Sequence, residues 1–350
     1  MLGQRLFSVA VAASAIFLGT PALAQTIVTP AATTSTSGIK LWIDGAYHSF
    51  NLPTFSLGFF NLGVGTFEPL GPAQTYKPRA TGEGAGGGIS FLLPHGVLPG
   101  ANARIALVGG FADVTATQTG SVTSEFNAAQ LLGGQLGFPC GPCVLPSRLE
   151  TEHRQWRAGA NASSEFSAGT LVFIPSLEFF GGGARTSQTY AQQRIAGLAV
   201  AYYDAQTRLR SRDIGAKVGL TVVMPIAPMI DFAVSGTLAT AHRHVTLAGN
   251  DQLNDGGVTT STIDVSRSTV AFIPGAQAQI TVRPAPTVEL RAFGGVELDN
   301  RVPGITSPQF TAAQFLALIG TATPATPAGI GFSSESNYFF GGGLSVAFAP

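Results

Sequence analysis

The chain has 350 residues, only 11% of them charged, and its 19 basic and 19 acidic side chains cancel. A soluble domain carries about 25% charge, and one this poor in charge would aggregate; the balance of signs also argues against nucleic acid, which asks for a basic surface. With 44 Gly, 24 Phe and a mean hydropathy of +0.28 the chain is apolar, yet beyond its first residues no apolar run reaches the ~20 that a spanning helix needs. Apolar residues that are plentiful but never continuous must alternate with polar ones.

At the start, Met1–Arg5 carries one positive charge and Leu6–Leu18 is an apolar run too short to span a bilayer. Gly19-Thr20-Pro21 breaks it, and Ala22-Leu23-Ala24 supplies the small residues of a cleavage site. The pattern predicts a secretory signal peptide over 1–24, followed by a short exported segment over 25–37.

Period-two alternation begins at Ile39, with Leu41, Ile43, Gly45 and Tyr47 on one face. Four hairpins follow: 85–93 with 103–111, 157–166 with 171–179, 214–222 with 230–238, and 270–282 with 288–298. The third is the plainest. Ile214, Ala216, Val218, Leu220 and Val222 share one face, Met224–Pro228 breaks the chain, and Phe232, Val234, Gly236 and Leu238 return. A closing strand carries Tyr338, Phe340, Gly342, Leu344, Val346 and Phe348. That predicts ten strands, each of about 9–13 residues, the length a tilted strand needs to cross an apolar layer. Short turns join the hairpins, while the connections between them (50–80, 119–149, 191–207, 248–263 and 301–334) are long.

A signal peptide, alternating strands and an aromatic-rich last strand resemble the architecture of bacterial outer-membrane β-barrels. The resemblance implies an all-β fold: a ten-stranded antiparallel up-and-down transmembrane barrel over 38–350. Its short turns and both termini would face the periplasm, its five long loops the exterior, and 25–37 would be periplasmic. It also implies outer-membrane lipid as surroundings and the barrel assembly machinery as a partner. Such barrels end on an aromatic residue, whereas here Ala349-Pro350 follow Phe348. The competing fold is a soluble β-sandwich or adhesin-like protein, whose outer faces would be polar.

The face opposite the apolar one collects Lys40, Arg104, Arg157, Lys217 and Arg291 against Asp44, Glu165, Glu178, Asp231, Glu289 and Glu297. Enclosed charges must pair, because an unpaired one costs several kcal/mol. The expectation is a lumen filled by paired charges and a structural or cell-surface role. The alternative is a narrow, weakly selective porin-like channel.

Four further features carry expectations. Cys140-Gly141-Pro142-Cys143 lacks the strand–helix setting of a redox motif and reads as a disulfide clipping a loop. Arg212 placed opposite His242 and Arg210 opposite His244, with Arg185 at similar height, predict an outward basic cluster. Sitting above the apolar face, it suits lipopolysaccharide phosphates. Glu125–Leu132 and Gln309–Leu316 share a pattern that predicts short amphipathic helices, packed at the barrel mouth or offered to a surface protein partner. The Asp-x-Asp and Asp-x-His pairs of omptin-like proteases are absent, the five histidines (48, 95, 153, 242 and 244) form no metal-ligand spacing, and neither an enzyme nor a cofactor is expected.

Overall fold

The computed structural model describes residues 38–61, 74–124, 127–134, 136–140, 143–193, 202–254, 257–308 and 326–348. The signal-peptide and 25–37 expectations lie outside the described residues. The described chain is all β: β1 (Ile39–Asn51), β2 (Phe55–Ser56), β3 (Gly58–Asn61), β4 (Thr75–Tyr76), β5 (Arg79–Leu92), β6 (Ala101–Ser124), β7 (Asn127–Gln130) and β8 (Leu136–Cys140). There follow β9 (Cys143–Ala168), β10 (Leu171–Gln193), β11 (Tyr202–Ala227), β12 (Ile230–Asn254), β13 (Val258–Ala285), β14 (Val288–Thr306) and β15 (Gly329–Phe348).

The long strands close on themselves in the order β1-β15-β14-β13-β12-β11-β10-β9-β6-β5. β1 is the closing strand. Its Ile39 pairs with Phe348 on one side and Phe91 on the other, and its far end reaches Asn337 and Arg79. Every neighbour is antiparallel, and both described ends of the chain lie beside the short turns.

Alternation sends one face out. Ile43, Tyr47, Leu107, Trp156, Phe179, Ile214, Leu238, Phe272, Leu298 and Phe340 are all exposed and form an apolar belt around the barrel. Lys40, Asp44, Arg157, Glu178 and Arg291 point inward and are buried. Large apolar side chains face out while charges lie inside, the reverse of a water-soluble core.

Beyond the belt the strands continue much further than 9–13 residues. β11, β12 and β13 have 26, 25 and 28 residues. Most of 191–207 and 248–263, expected as loops, is therefore strand. The apolar face stops at the top of the belt, so apolar periodicity measures the belt and not the strand.

The basic-cluster register also needs correction. Arg212 pairs with His244, His242 with Ile214, and Arg210 with Thr246. β11 runs on through Pro225 to Ala227, with an irregularity between Pro225 and Ala227, and only Pro228-Met229 turns. The expected pairing centres the hairpin on residue 227, whereas the ladder centres it on 228, and one residue at the turn is two in the register. A two-residue slip preserves the face, so the arginines and histidines still point outward.

A third correction concerns 125–132. Asn127–Gln130 is a strand, paired with Gly58–Asn61 and with β8. Immediately after it Leu131 and Leu132 are fully buried, and an extended approach delivers consecutive leucines into the barrel mouth. The companion helix expected at 309–316 lies outside the described residues.

Those leucines belong to an apolar plug. Phe55, Leu57 and Tyr76 from the β2–β4 region pack with Leu131, Leu132, Tyr190, Tyr203, Leu247 and Ile330. Tyr190 stands 5.5 Å from Phe55 and 6.0 Å from Tyr203, ring centre to ring centre.

One seam interrupts the wall. β13 and β14 pair from Ala285↔Val288 only as far as Gly275↔Glu297. On their other sides, β13 stays paired with β12 to Val258 and β14 with β15 to Thr306. A proline stands on each free edge, Pro274 and Pro303, and proline donates nothing to a ladder. Asn300 Oδ1 accepts the Phe272 N–H at 2.8 Å and replaces one missing ladder bond.

Candidate functional site

Three tiers of charge fill the lumen. Nearest the short turns, Lys40 Nζ lies 2.5 Å from Glu289 and Arg291 lies 2.7 Å from Asp44. Arg283 bridges Asp231 and Glu289, Arg104 donates to Ser90 Oγ, and Asn102 donates to Glu165 at 2.8 Å. Higher up, Lys217 meets Glu178 at 2.5 Å. Arg157 sits 3.9 Å from Glu297 with its guanidinium 4.4 Å over the Phe180 ring. At the top Arg243 grips Asp213 and reaches Asp299 at 2.8 Å.

All eleven charges expected in the lumen point into it, and most meet an opposite charge. Arg243, Asp213, Asp299 and Arg283 were not anticipated. Arg243 and Asp213 obey the same odd-number parity as Lys217 and Asp231 but lie above the apolar stretch. Extending the alternation past that stretch would have found them.

Between the top tier and the plug lies a cavity of about 60 Å³. His153, Arg157, Ser211, Arg243, Glu297 and Asp299 line it, with Ile273, Val302 and Pro303 closing the seam side. His153 Nδ1 is 2.8 Å from Thr186 Oγ1, and its ring packs 5.0 Å from Phe50. Asp251 anchors the plug from above. It accepts the Leu132 N–H at 2.6 Å, Tyr203 Oη at 2.8 Å and Ser261 Oγ at 2.5 Å. Burial raises its carboxyl above the usual range, against those hydrogen bonds.

Several inward polar atoms have no hydrogen-bond partner among the described residues: both side-chain atoms of Asn161, Trp42 Nε1, Glu165 Oε1, Arg291 Nη1 and Asn337 Nδ2. Buried polar groups without protein partners call for ordered water. The lumen is a lattice of paired charges beneath an apolar plug.

Outside, the basic cluster is wider than expected. Arg185 on β10 pairs with Arg210 on β11 and with Arg154 on β9. Three arginines thus stand in one row across three strands, and Arg208, Arg212, His242 and His244 are exposed around them. Arg154 is joined to Asp113 at 2.9 Å, and Arg185 Nε donates to Ser187 Oγ at 3.3 Å. The row lies just above Trp156 and Ile214 at the belt's upper edge.

The side chains of Cys140 and Cys143 lie outside the described residues. Among the described residues no cluster of His, Cys, Asp and Glu could hold a metal ion. His95 is exposed in a short turn, and His48 is buried with Nδ1 3.4 Å from Asn337 Oδ1.

No protein-family model and no curated protein matches the chain. Its structural neighbours are outer-membrane β-barrels. The outer-membrane protease OmpT of Escherichia coli aligns over 91% of this chain and 99% of its own, at 13% identity and a TM-score of 0.48. The translocator domain of the autotransporter NalP from Neisseria meningitidis aligns over 89% of each chain, at 13% identity and TM-score 0.35. A FadL homologue from Pseudomonas aeruginosa covers 89% and 90%, at 8% identity and TM-score 0.26.

Proposed function

We propose that this chain is an integral outer-membrane β-barrel whose lumen is sealed at rest and whose role is structural or at the cell surface. One observation carries the reading: a closed sheet wears an apolar belt outside and keeps its charges inside. In water such a belt would drive association, while in a bilayer it is the required surface, and closure satisfies the backbone. The short turns and both termini face the periplasm, and the long strand extensions, plug and basic row stand at the exterior. Purified protein that needs detergent and shifts on a gel after boiling supports this. Protein that stays dispersed without detergent, or migrates identically before and after boiling, overturns it.

The second reading is a narrow channel, favoured by the unpartnered polar atoms and the water they demand. Planar-bilayer recording separates the two. Silence supports the sealed barrel, and discrete, salt-dependent openings support the channel.

The basic row is a binding site for the phosphates of lipopolysaccharide. Like charges directly opposite one another destabilise a sheet, and an anion at the belt's edge turns that repulsion into charge-assisted bonding. Replacing Arg185 and Arg210 with Ser should lower the lipopolysaccharide that co-purifies. Unchanged retention removes this assignment and leaves the barrel intact.

A further inference from the structure

The plug closes the barrel along its axis, yet the chamber beneath it touches the interrupted wall. Ile273 on β13 and Asp299, Val302 and Pro303 on β14 form one side of the chamber, and these residues lie beyond the last ladder pair, Gly275↔Glu297. A barrel is held shut by its continuous ladder, since closure leaves no free edge. Among the described residues no ladder pair joins β13 to β14 beside the chamber; Asn300 accepts the Phe272 N–H across the seam, while Arg243 Nη1 donates to the Arg301 carbonyl at 2.7 Å and Arg267 Nη1 to the Ile330 carbonyl at 3.0 Å. Arg267 occupies an inward position on β13 beside the unpaired edge and is nevertheless exposed, so solvent reaches the inner face there, while Ala271 and Ile273 nearer the chamber are buried.

We infer that the β13–β14 seam is a side entrance through which water and small hydrated cations reach the chamber, bypassing the plug. Charge sets the class of solute. Asp213, Glu297, Asp299 and Glu335 line the chamber against Arg157 and Arg243, four negative groups to two positive. Size sets the limit. About 60 Å³ admits a few waters or one small ion and excludes sugars and peptides. The height of the seam fits as well. Its lower lip carries exposed apolar Phe272, Val270 and Leu298, whereas Ser266, Ser268 and Asp264 above them are polar and exposed. The opening therefore starts at the upper edge of the belt, where unpaired backbone groups can meet water rather than hydrocarbon. The route does not depend on which way the barrel sits in the membrane.

Silver ion, a small cation that binds thiols, is the probe. In refolded full-length protein with Cys140 and Cys143 changed to Ser, Ser211→Cys places a thiol in the chamber. Should that variant not refold, Thr186→Cys serves. The seam is then locked by Phe272→Cys with Asn300→Cys, two exposed positions that the bond from the Phe272 N–H to the Asn300 side chain already brings together across it. Closure is checked by mass, and a short bismaleimide makes the link if the disulfide does not form. Silver should consume the chamber thiol in the unlocked protein, and consumption should be lost on locking. Anionic iodoacetate, scaled to its rate on an exposed thiol, should react far less readily than silver. Equal silver labelling of locked and unlocked protein would place the entrance elsewhere and overturn the inference. So would a chamber thiol that silver never reaches, and iodoacetate entering as freely as silver would overturn the cation assignment.

Discussion

Arg243 holds Asp213 with two nitrogens at once, Nε at 2.9 Å from Oδ1 and Nη2 at 2.7 Å from Oδ2. The two residues are direct cross-strand partners on β11 and β12, and Arg243 then spans the lumen to Asp299 on β14. This one guanidinium ties the wall below the plug to the strand that borders the seam. Arg243→Ala should be among the most damaging single changes in the barrel. Removing one partner of a buried pair strands the other and costs about 3–5 kcal/mol. Changing Arg243 to Met together with Asp213 to Leu and Asp299 to Asn, which leaves neither carboxylate stranded, should recover a good part of that loss. Heat-unfolding midpoints in detergent compare the two, and a triple variant no better than the single would mean that the loss is not one of stranded charge.

Closure depends on a glycine. A Cβ on Gly343 would collide with Asp44 Oδ1 and lie 2.7 Å from the Ile43 backbone oxygen. Asp44 cannot swing away freely, because Arg291 holds it at 2.7 Å. Gly343→Ala should therefore destabilise by about 1–3 kcal/mol, the usual cost of overpacking, and lower the yield of the compact band on unboiled gels. Gly45, on the outer face of β1, meets nothing within 4 Å of an added Cβ. Gly45→Ala is the control and should refold like the parent.

How much of this could be read from the chain depended on which pattern each feature leaves. Ile214 to Val222 and Phe232 to Leu238 alternate with period two, so the strands, their faces and charges such as Lys217 and Asp231 were legible. Arg243 and Asp213 follow the same parity where the opposite face is no longer apolar, and were missed. The pairing of Arg212 with His244 was off by one step of two residues, which parity cannot detect because both registers put the same side chains outward. The plug left no periodic trace at all. Leu131 and Leu132 are adjacent leucines in a segment whose spacing mimics a helix, and only their burial against Tyr190 and Tyr203 makes it a strand entering the mouth. The seam is a missing ladder, a property of two strands together, marked in sequence by little more than Pro274 and Pro303.

The arginine row predicts a dependence on salt. Arg154, Arg185 and Arg210 are cross-strand neighbours, and like charges so placed cost roughly 0.2–1 kcal/mol. In lipid-free detergent at low ionic strength, Arg185→Gln should raise the unfolding midpoint slightly. The gain should vanish as salt shortens the screening length below the spacing of the row, or when a phosphorylated amphiphile is added. A loss of stability at low salt would mean that the row is already compensated within the protein.

The plug should respond to pH through Asp251, which lies above the belt. Burial lifts its carboxyl above the ordinary 3.8, although Ser261, Leu132 and Tyr203 donate to it and pull the other way. A carboxyl raised on folding binds its proton more tightly in the folded state. Stability is then greatest below the ordinary value and declines as pH climbs from there through the raised folded value. The anchor on Leu132 should thus be firmer in acid than at neutral pH, the reverse of what losing a carboxylate acceptor suggests. Exchange of the Leu132 amide, corrected for its intrinsic dependence on pH, measures this directly. Protection should fall as the solution is brought from acid to neutral, and Asp251→Asn should flatten the dependence. Protection that instead rises toward neutrality would mean that the three donors outweigh burial and that the plug is held by an ionised Asp251.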